Sequence, residues 1–283
     1  MKVGLLLEGG GMRGLYTAGI LDVLMGNNIE VDGLVAVSAG ALFGMNYKSK
    51  QIGRVLRYNK KYLRNKNYMG FYSLITTGNI MNEDFCFNKI INELDPVDFE
   101  TFENSKSEFY VTVTNIETGK PEYIKIEELH SKTNIEYLRA SGSMPYVSKP
   151  VVIGSNKYLD GGITDSIPIE KIMDMGYDKV VVVLTRPIDY RKKKGKEIIS
   201  RIFYRKYPKL VEAMNNRYYK YNEQLEKILG LEKQGKIFVF RPSRLVNIKR
   251  VERDIEKLQQ MYNLGIEDCK SKMEELKQYI ESV

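Results

Sequence analysis

Two stretches decide how this chain folds: Val3-Gly4-Leu5-Leu6-Leu7-Glu8-Gly9-Gly10-Gly11-Met12-Arg13-Gly14 and, one helix further on, Leu34-Val35-Ala36-Val37-Ser38-Ala39-Gly40. Val3–Leu7 is an unbroken apolar run, the pattern of a strand buried on both faces in a parallel sheet covered by helices. Glycines follow at once. Leu15 to Met25 then carries apolar residues at helical spacing, closed by Gly26-Asn27-Asn28, which tolerate left-handed backbone. Leu34–Val37 reads as a second buried strand and Ala39–Tyr47 as a second helix. Strand, helix and strand in this order predict a βαβ unit with a right-handed crossover.

Working outward, residues 48–107 read as mostly polar and helical, with tyrosines and lysines interleaved. Phe109–Asn115 alternates like a strand, and the turn Thr118-Gly119-Lys120-Pro121 leads into Tyr123–Ile126, a predicted hairpin. A short helix is expected over Asn134–Ala140, a short strand at Lys157–Leu159 and a strongly apolar strand at Lys179–Leu184. A basic, tyrosine-rich helical segment is expected from Arg191 to about Leu231, then a strand at Ile237–Phe240. The tail from Lys249 reads as helix broken at Gly265. The alternation predicts an α/β fold with a mainly parallel central sheet flanked by helices and a helical C-terminal extension.

Composition narrows the function classes. With 43% hydrophobic and 28% charged residues over 283 positions, the chain can bury a core, and disorder is excluded. The two cysteines, Cys86 and Cys269, are far apart and lack metal-ligand spacing, so neither a disulfide framework nor a metal site is expected. No apolar stretch reaches membrane-spanning length, and the N-terminus lacks a signal-peptide pattern. The expected location is the cytoplasm, at most peripheral to a membrane. A net charge of +8 favours polyanionic partners. No nucleic-acid-binding module accompanies that charge, and the sequence leaves oligomeric state open.

Three motifs carry chemistry. Gly9 to Gly14 sits between strand and helix, where side-chain-free backbone presents N–H groups to an anion in front of a helix N-terminus. Gly9, Gly11 and Gly14 also match the spacing of a dinucleotide-binding loop. That fold needs an acidic residue at the end of the second strand; Ser38 stands there, and Asp32 lies at the strand's other end. Ala36-Val37-Ser38-Ala39-Gly40 places a serine on a sharp strand-to-helix turn, with alanine where the usual nucleophile elbow has glycine. Alone, Ser38 also reads as a helix cap, and Asp160-Gly161-Gly162 as a plain turn.

Taken together, the glycine loop, the serine elbow and the distant Asp-Gly-Gly resemble the patatin-like phospholipases. The likeness is close over residues 1–190 and fainter to about 265, and Arg139-Ala140-Ser141 through Pro145 resembles that family's helix and loop before the aspartate strand. The resemblance implies a three-layer α/β/α fold, with 1–190 as catalytic domain and 191–283 packed on it. It implies a cofactor-free serine hydrolase of lipid acyl esters, with Ser38 as nucleophile and Asp160 as base. Gly9, Gly10, Gly11, Met12, Arg13 and Gly14 would form the oxyanion loop, with Arg13 read as ordering it, while Ala36, Gly40, Gly161 and Gly162 support the motifs. An acyltransferase or a catalytically silent lipid binder would use the same scaffold. A Ser-His-Asp triad would need His130, the chain's only histidine, which reads as solvated in Glu127-Glu128-Leu129-His130-Ser131.

The basic stretch interleaves Arg191, Lys192, Lys193, Lys194, Lys196, Arg201, Arg205, Lys206 and Lys209 with Ile198, Ile199, Ile202, Phe203, Tyr204 and Tyr207. As a helix it suits an anionic lipid surface; packed by its apolar face, it is an ordinary solvated helix. Tyr58, Tyr62, Tyr68 and Tyr72 are expected to serve packing.

Overall fold

The apolar run Val3–Leu7 forms β1, and all five residues are buried. A computed structural model describes residues 1–195 and 197–282. Its elements continue as α1 (Leu15–Gly26), β2 (Gly33–Val37), α2 (Ala39–Lys48), α3 (Arg54–Tyr62) and α4 (Phe71–Thr77). A π-helix follows at Phe85–Leu94, then α5 (Phe99–Asn104), β3 (Glu108–Asn115), β4 (Lys120–Lys125) and α6 (Lys132–Ser141). Next come β5 (Val151–Ile153), β6 (Asn156–Asp160), α7 (Ile169–Asp174) and β7 (Lys179–Val183). The chain ends with α8 (Glu197–Phe203), α9 (Pro208–Lys233), β8 (Phe238–Phe240), α10 (Ile255–Ser271) and α11 (Met273–Glu281).

Strands β3, β2, β1, β7 and β8 lie side by side and parallel, with β4, β6 and β5 added antiparallel at one margin. Alternation along each strand splits the core into two layers. Leu5 and Leu7 of β1 and Leu34 and Ala36 of β2 face the layer that holds α1, α2 and α10. Leu6 and Val35 face the opposite layer with α7 and α9. The sheet is therefore sandwiched between helices, as a doubly covered parallel sheet must be.

The lengths of β2 and β3 position the site. β4 pairs with β3 along Tyr110 to Asn115, so it occupies one edge of β3 from Tyr110 to the strand's end. On the other edge, β2 pairs only as far as Thr112, opposite Val37, and β6 takes over at Val113, opposite Asp160. The end of β6 therefore abuts the end of β2, and Asp160 arrives beside Ser38. Gly161 makes this junction possible, because a Cβ there would lie 2.2 Å from the Thr112 carbonyl oxygen.

Several sequence expectations change. Gly265 does not break the tail; α10 runs through it. A Cβ on Gly265 would lie 2.1 Å from the Tyr16 carbonyl oxygen, and one on Gly19 2.2 Å from that of Tyr262, so α1 and α10 pack backbone against backbone. The basic segment is not one helix: Arg191–Gly195 is coil, and α8 and α9 are separate, while Lys196 lies outside the described residues. Pro208, which lacks an N–H, opens α9 and marks the break between them. Tyr58, Tyr62 and Tyr68 are buried as expected, whereas Tyr72 is exposed, with Lys66 Nζ 4.9 Å from its ring centre. Short β5 at the sheet margin escaped the sequence reading. Among the described residues no helix is long and apolar enough to cross a membrane.

The glycine contact yields a prediction of sign. Ala outranks Gly in a helix interior by about 1 kcal/mol, so Gly265→Ala would stabilise a solvated helix. Here overpacking should outweigh that gain and cost about 1–3 kcal/mol. Gly26→Ala, where a Cβ meets nothing within 4 Å, should be neutral or stabilising. Urea denaturation midpoints of both variants check this, and a midpoint for Gly265→Ala at or above that of the parent would contradict it.

Candidate active site

Ser38 is the hinge between β2 and α2. Its φ of 55° lies in the left-handed region, which a non-glycine residue adopts at a cost of roughly 1–3 kcal/mol. The surroundings hold it there. The Ser38 amide donates to Ser141 Oγ at 2.8 Å, and that hydroxyl donates to the Thr112 carbonyl at 2.8 Å. Gly40 admits the backbone of β1, since a Cβ there would lie 2.6 Å from the Leu7 carbonyl oxygen. Gly9 likewise lets the glycine loop touch the elbow, with a hypothetical Cβ 2.7 Å from Ser38 Cβ. Ala36, buried in the core of β2, does not prevent the turn.

Ser38 Oγ donates to Asp160 Oδ2 at 2.6 Å, and Asp160 Oδ1 accepts from the Gly162 amide at 2.7 Å. Both side chains are buried, at 8% and 6% exposure. Burial raises the carboxyl's pKa above its ordinary value; the hydrogen bond from Ser38, the guanidinium of Arg217, the Gly162 amide and Arg250 act in the opposite direction. The outcome is a carboxylate made more basic by desolvation yet still supported as an anion. His130 is elsewhere: it is exposed, its Nδ1 lies 2.8 Å from Glu103 Oε1, and its ring rests on Phe99.

The glycine loop is not uniformly available. The Met12 amide donates to the Arg250 carbonyl at 2.9 Å, which removes it from the donors expected for an oxyanion. The Gly10 and Gly11 amides donate to no acceptor among the described residues. Gly11 has φ +57°, and a Cβ on it would lie 2.5 Å from the Arg250 carbonyl oxygen, so the loop needs glycine on two grounds. Gly14 packs against Phe43 and Ala39. The ordering role read for Arg13 falls to Glu8. That buried carboxylate accepts from the Thr185 amide at 2.6 Å, the Thr185 hydroxyl at 3.0 Å and the Tyr221 hydroxyl at 2.8 Å, tying the loop to β7 and α9. Arg13 is buried, and its Nε has no partner.

Two cavities meet at Ser38. One is lined mostly by apolar side chains, among them Leu42, Phe43, Tyr68, Met81 and Phe87. The π-helix contributes Cys86, Phe87, Ile90 and Ile91 to it. The other holds the glycine loop and Asp160. Ser38, Gly11, Met144 and Arg250 border both. The sequence reading did not single out Arg217, Arg250, Glu8 or the apolar wall as parts of the site. These come from segments scattered along the chain, from Glu8 through α2 and the π-helix to Arg217 and Arg250, and only the conspicuous Glu8 beside the glycines carried any local signal. Among the described residues no group of three or more His, Cys, Asp or Glu could hold a metal ion.

A family model described as patatin-like phospholipase matches residues 5–173, more than half the chain, and one described as a domain of unknown function, DUF6363, matches residues 207–281. The uncharacterized protein YjjU of Escherichia coli is 28% identical over 193 residues, covering 66% of this chain and 52% of that protein. Lysophospholipase nte1 of Aspergillus fumigatus is 28% identical over 202 residues, covering 66% of this chain and 12% of that protein. The chain thus spans about half the length, or much less, of these relatives. The crystal structure of VipD from Legionella pneumophila superposes with a TM-score of 0.47 at 14% identity, covering 97% of this chain and 67% of that one. Through the match over residues 5–173, the chain belongs to the patatin-like phospholipase family.

Proposed function

We propose that this protein hydrolyses acyl esters of phospholipids or related lipids, with Ser38 and Asp160 as a catalytic dyad. The observation that carries the reading is the 2.6 Å hydrogen bond from Ser38 Oγ to Asp160 Oδ2 at the meeting point of an apolar and a polar cavity. The similarity to a protein named a lysophospholipase supports the substrate class.

In the proposed cycle the acyl chain lies in the apolar cavity and the ester carbonyl sits over Ser38. Asp160 accepts the hydroxyl proton as Ser38 Oγ attacks the carbonyl carbon. The Gly10 and Gly11 amides hold the developing oxyanion, preorganised donors worth on the order of 3 kcal/mol each. The tetrahedral intermediate collapses, the alcohol leaves with the proton from Asp160, and an acyl-serine remains. Water, deprotonated by Asp160, then releases the fatty acid and regenerates the hydroxyl. The positive end of α2 lies behind Ser38 and favours the negative charge formed in each half of the cycle. Residues 1–190 supply the reacting groups, while 191–283 complete the walls through Lys192, Arg217 and Arg250.

The short helix α8 gives the proposal a place at a lipid surface. Ile198, Ile202 and Phe203 on it are 66%, 67% and 63% exposed. Phe203 packs edge-on to Tyr146, and both residues line a surface groove that shares Met144, Lys192, Arg217 and Arg250 with the cationic cavity. The exposed apolar face therefore lies beside the mouth of the site, where contact with a lipid interface would present substrate.

Ser38→Ala and Asp160→Asn should each lower kcat for ester hydrolysis by at least a thousandfold without lowering the denaturation midpoint by more than a few degrees; undiminished turnover in either would overturn the dyad. Because Asp160 must be ionised to accept a proton and burial raises its pKa, activity should fall as pH drops, with its acid limb centred above the roughly 3.9 of an ordinary aspartate. A kcat/KM profile flat down to that value would contradict the role of Asp160. Ile202→Glu with Phe203→Glu should cut co-sedimentation with phosphatidylglycerol vesicles several-fold while sparing hydrolysis of a short soluble ester. Equal sedimentation would remove α8 from the lipid contact.

A further inference from the structure

The polar cavity beside Ser38 carries far more positive charge than the chemistry above uses. Arg13, Arg186, Lys192, Arg217 and Arg250 line it, and its carboxylates are Glu8 and Asp160. None of the five cations forms an ion pair within 4 Å among the described residues. Glu8 is already occupied by Thr185 and Tyr221, and Asp160 by Ser38 and Gly162.

What these side chains touch instead is mostly aromatic or neutral. The Arg186 guanidinium lies 4.4 Å from the Tyr190 ring centre, and Lys192 Nζ 4.1 Å from that of Tyr221. Arg217 reaches the Asp160 turn from α9, so that a Cβ on Gly162 would lie 3.1 Å from one of its Nη atoms; its remaining contact is 3.4 Å from Nε to Ser166 Oγ. Arg13, at 8% exposure, leaves its Nε without any partner. Gathering such groups costs free energy through desolvation and mutual repulsion. The cost is visible in Lys192, whose pKa is pushed down to about 6 by burial and by Arg217, Arg250 and Arg13, and in Arg13, pushed down to about 10 by burial, Arg186 and Arg250.

Supporting the Asp160 anion does not account for the cluster. Arg217 and Arg250 are the cations that act most on that carboxyl. Arg13 and Arg186 are left over as cations, and Lys192, whose charge burial and its neighbours disfavour, becomes a third when an anion enters. They lie across Ser38 from the apolar cavity, on the side where the alcohol half of a bound ester must sit if its acyl chain fills the apolar half.

We infer that the cationic cavity is a headgroup site that selects acyl esters whose alcohol portion is a net-anionic phosphate over those with a zwitterionic or neutral head. The inference rests on the ester-hydrolase reading and deepens it. A phosphate oxygen set offers acceptors to several guanidinium groups at once and supplies the missing counter-charge. Arg186, Lys192, Arg217 and Arg250 lie outside the segment matched as patatin-like, so this selectivity belongs to the part of the chain that follows it.

The test is calorimetric binding to Ser38→Ala, which keeps the cavity but is expected to lack turnover. The probes are 1-octanoylglycerol 3-phosphate, 1-octanoylglycerol and 1-octanoylglycerophosphocholine, with inorganic phosphate alone as a fourth. The phosphate-bearing anion should bind at least about tenfold tighter than the neutral and zwitterionic lipids, and inorganic phosphate at least tenfold more weakly than that anion. The preference should shrink to less than threefold in Ser38→Ala/Arg217→Gln. It should also shrink in Ser38→Ala/Lys192→Gln/Arg250→Gln, a second variant that keeps Arg217 intact. Equal affinities for the three lipids, or a preference that survives both sets of substitutions, would overturn the headgroup site. Inorganic phosphate binding as tightly as the lysolipid anion would assign the cavity to free phosphate and also overturn it. Absence of ester hydrolysis by the unsubstituted protein, with the binding preference intact, would count against the hydrolase reading alone.

Discussion

Everything at the site depends on β3 being longer than β2. Where β2 ends at Val37, β3 continues for three residues, and β6 fills the vacated edge with Asp160 as its last residue. A serine at residue 38 and an aspartate at residue 160 are thereby brought to 2.6 Å by strand register and not by a flexible loop. Groups carried on sheet ends hold their geometry better than groups on loops. The strained φ of Ser38 belongs to the same constraint, since it turns the side chain out of the sheet toward β6, and Ser141 and Gly40 let the backbone remain there.

Charge shapes the site as much as register does. The pair is buried between a greasy cavity and one crowded with cations, so the carboxylate is both desolvated and surrounded by positive charge. These influences oppose each other at Asp160, and desolvation prevails. The same crowding depresses Lys192 and Arg13, which places the unmet electrostatic need on the ligand side. In the proposed reading, an ester with an apolar tail and an anionic head spans both cavities, and its scissile carbonyl lies over Ser38, one of the residues that border the two.

Local sequence carried the βαβ start, the glycine loop, the elbow and the Asp-Gly-Gly turn, because each is a short pattern with its own backbone requirement. It also carried β3, β4 and β7 through periodicity. It could not carry the meeting of Ser38 with Asp160, which depends on unequal strand lengths and on β6 joining antiparallel; only resemblance to a family supplied that pairing. Gly265 misled for a related reason: a glycine inside a helix looks like a break until the partner helix, with Gly19 facing it, is in place. Met12 looked like one more donor in the loop, and only the approach of Arg250 from the far end of the chain reveals that its amide is taken. The cationic chamber was visible in composition as net charge, but its members come from positions 13, 186, 192, 217 and 250, and no window of sequence contains them together.

The most direct measurement of the central claim is covalent. The intact protein would be treated with a fluorophosphonate that mimics a lipid ester, digested, and the modified peptide located by mass spectrometry. The account predicts a single adduct on Ser38, formed rapidly in the parent and lost in Asp160→Asn, because the hydroxyl needs that carboxylate to take its proton. An adduct on another serine, or undiminished labelling of Ser38 without Asp160, would contradict it.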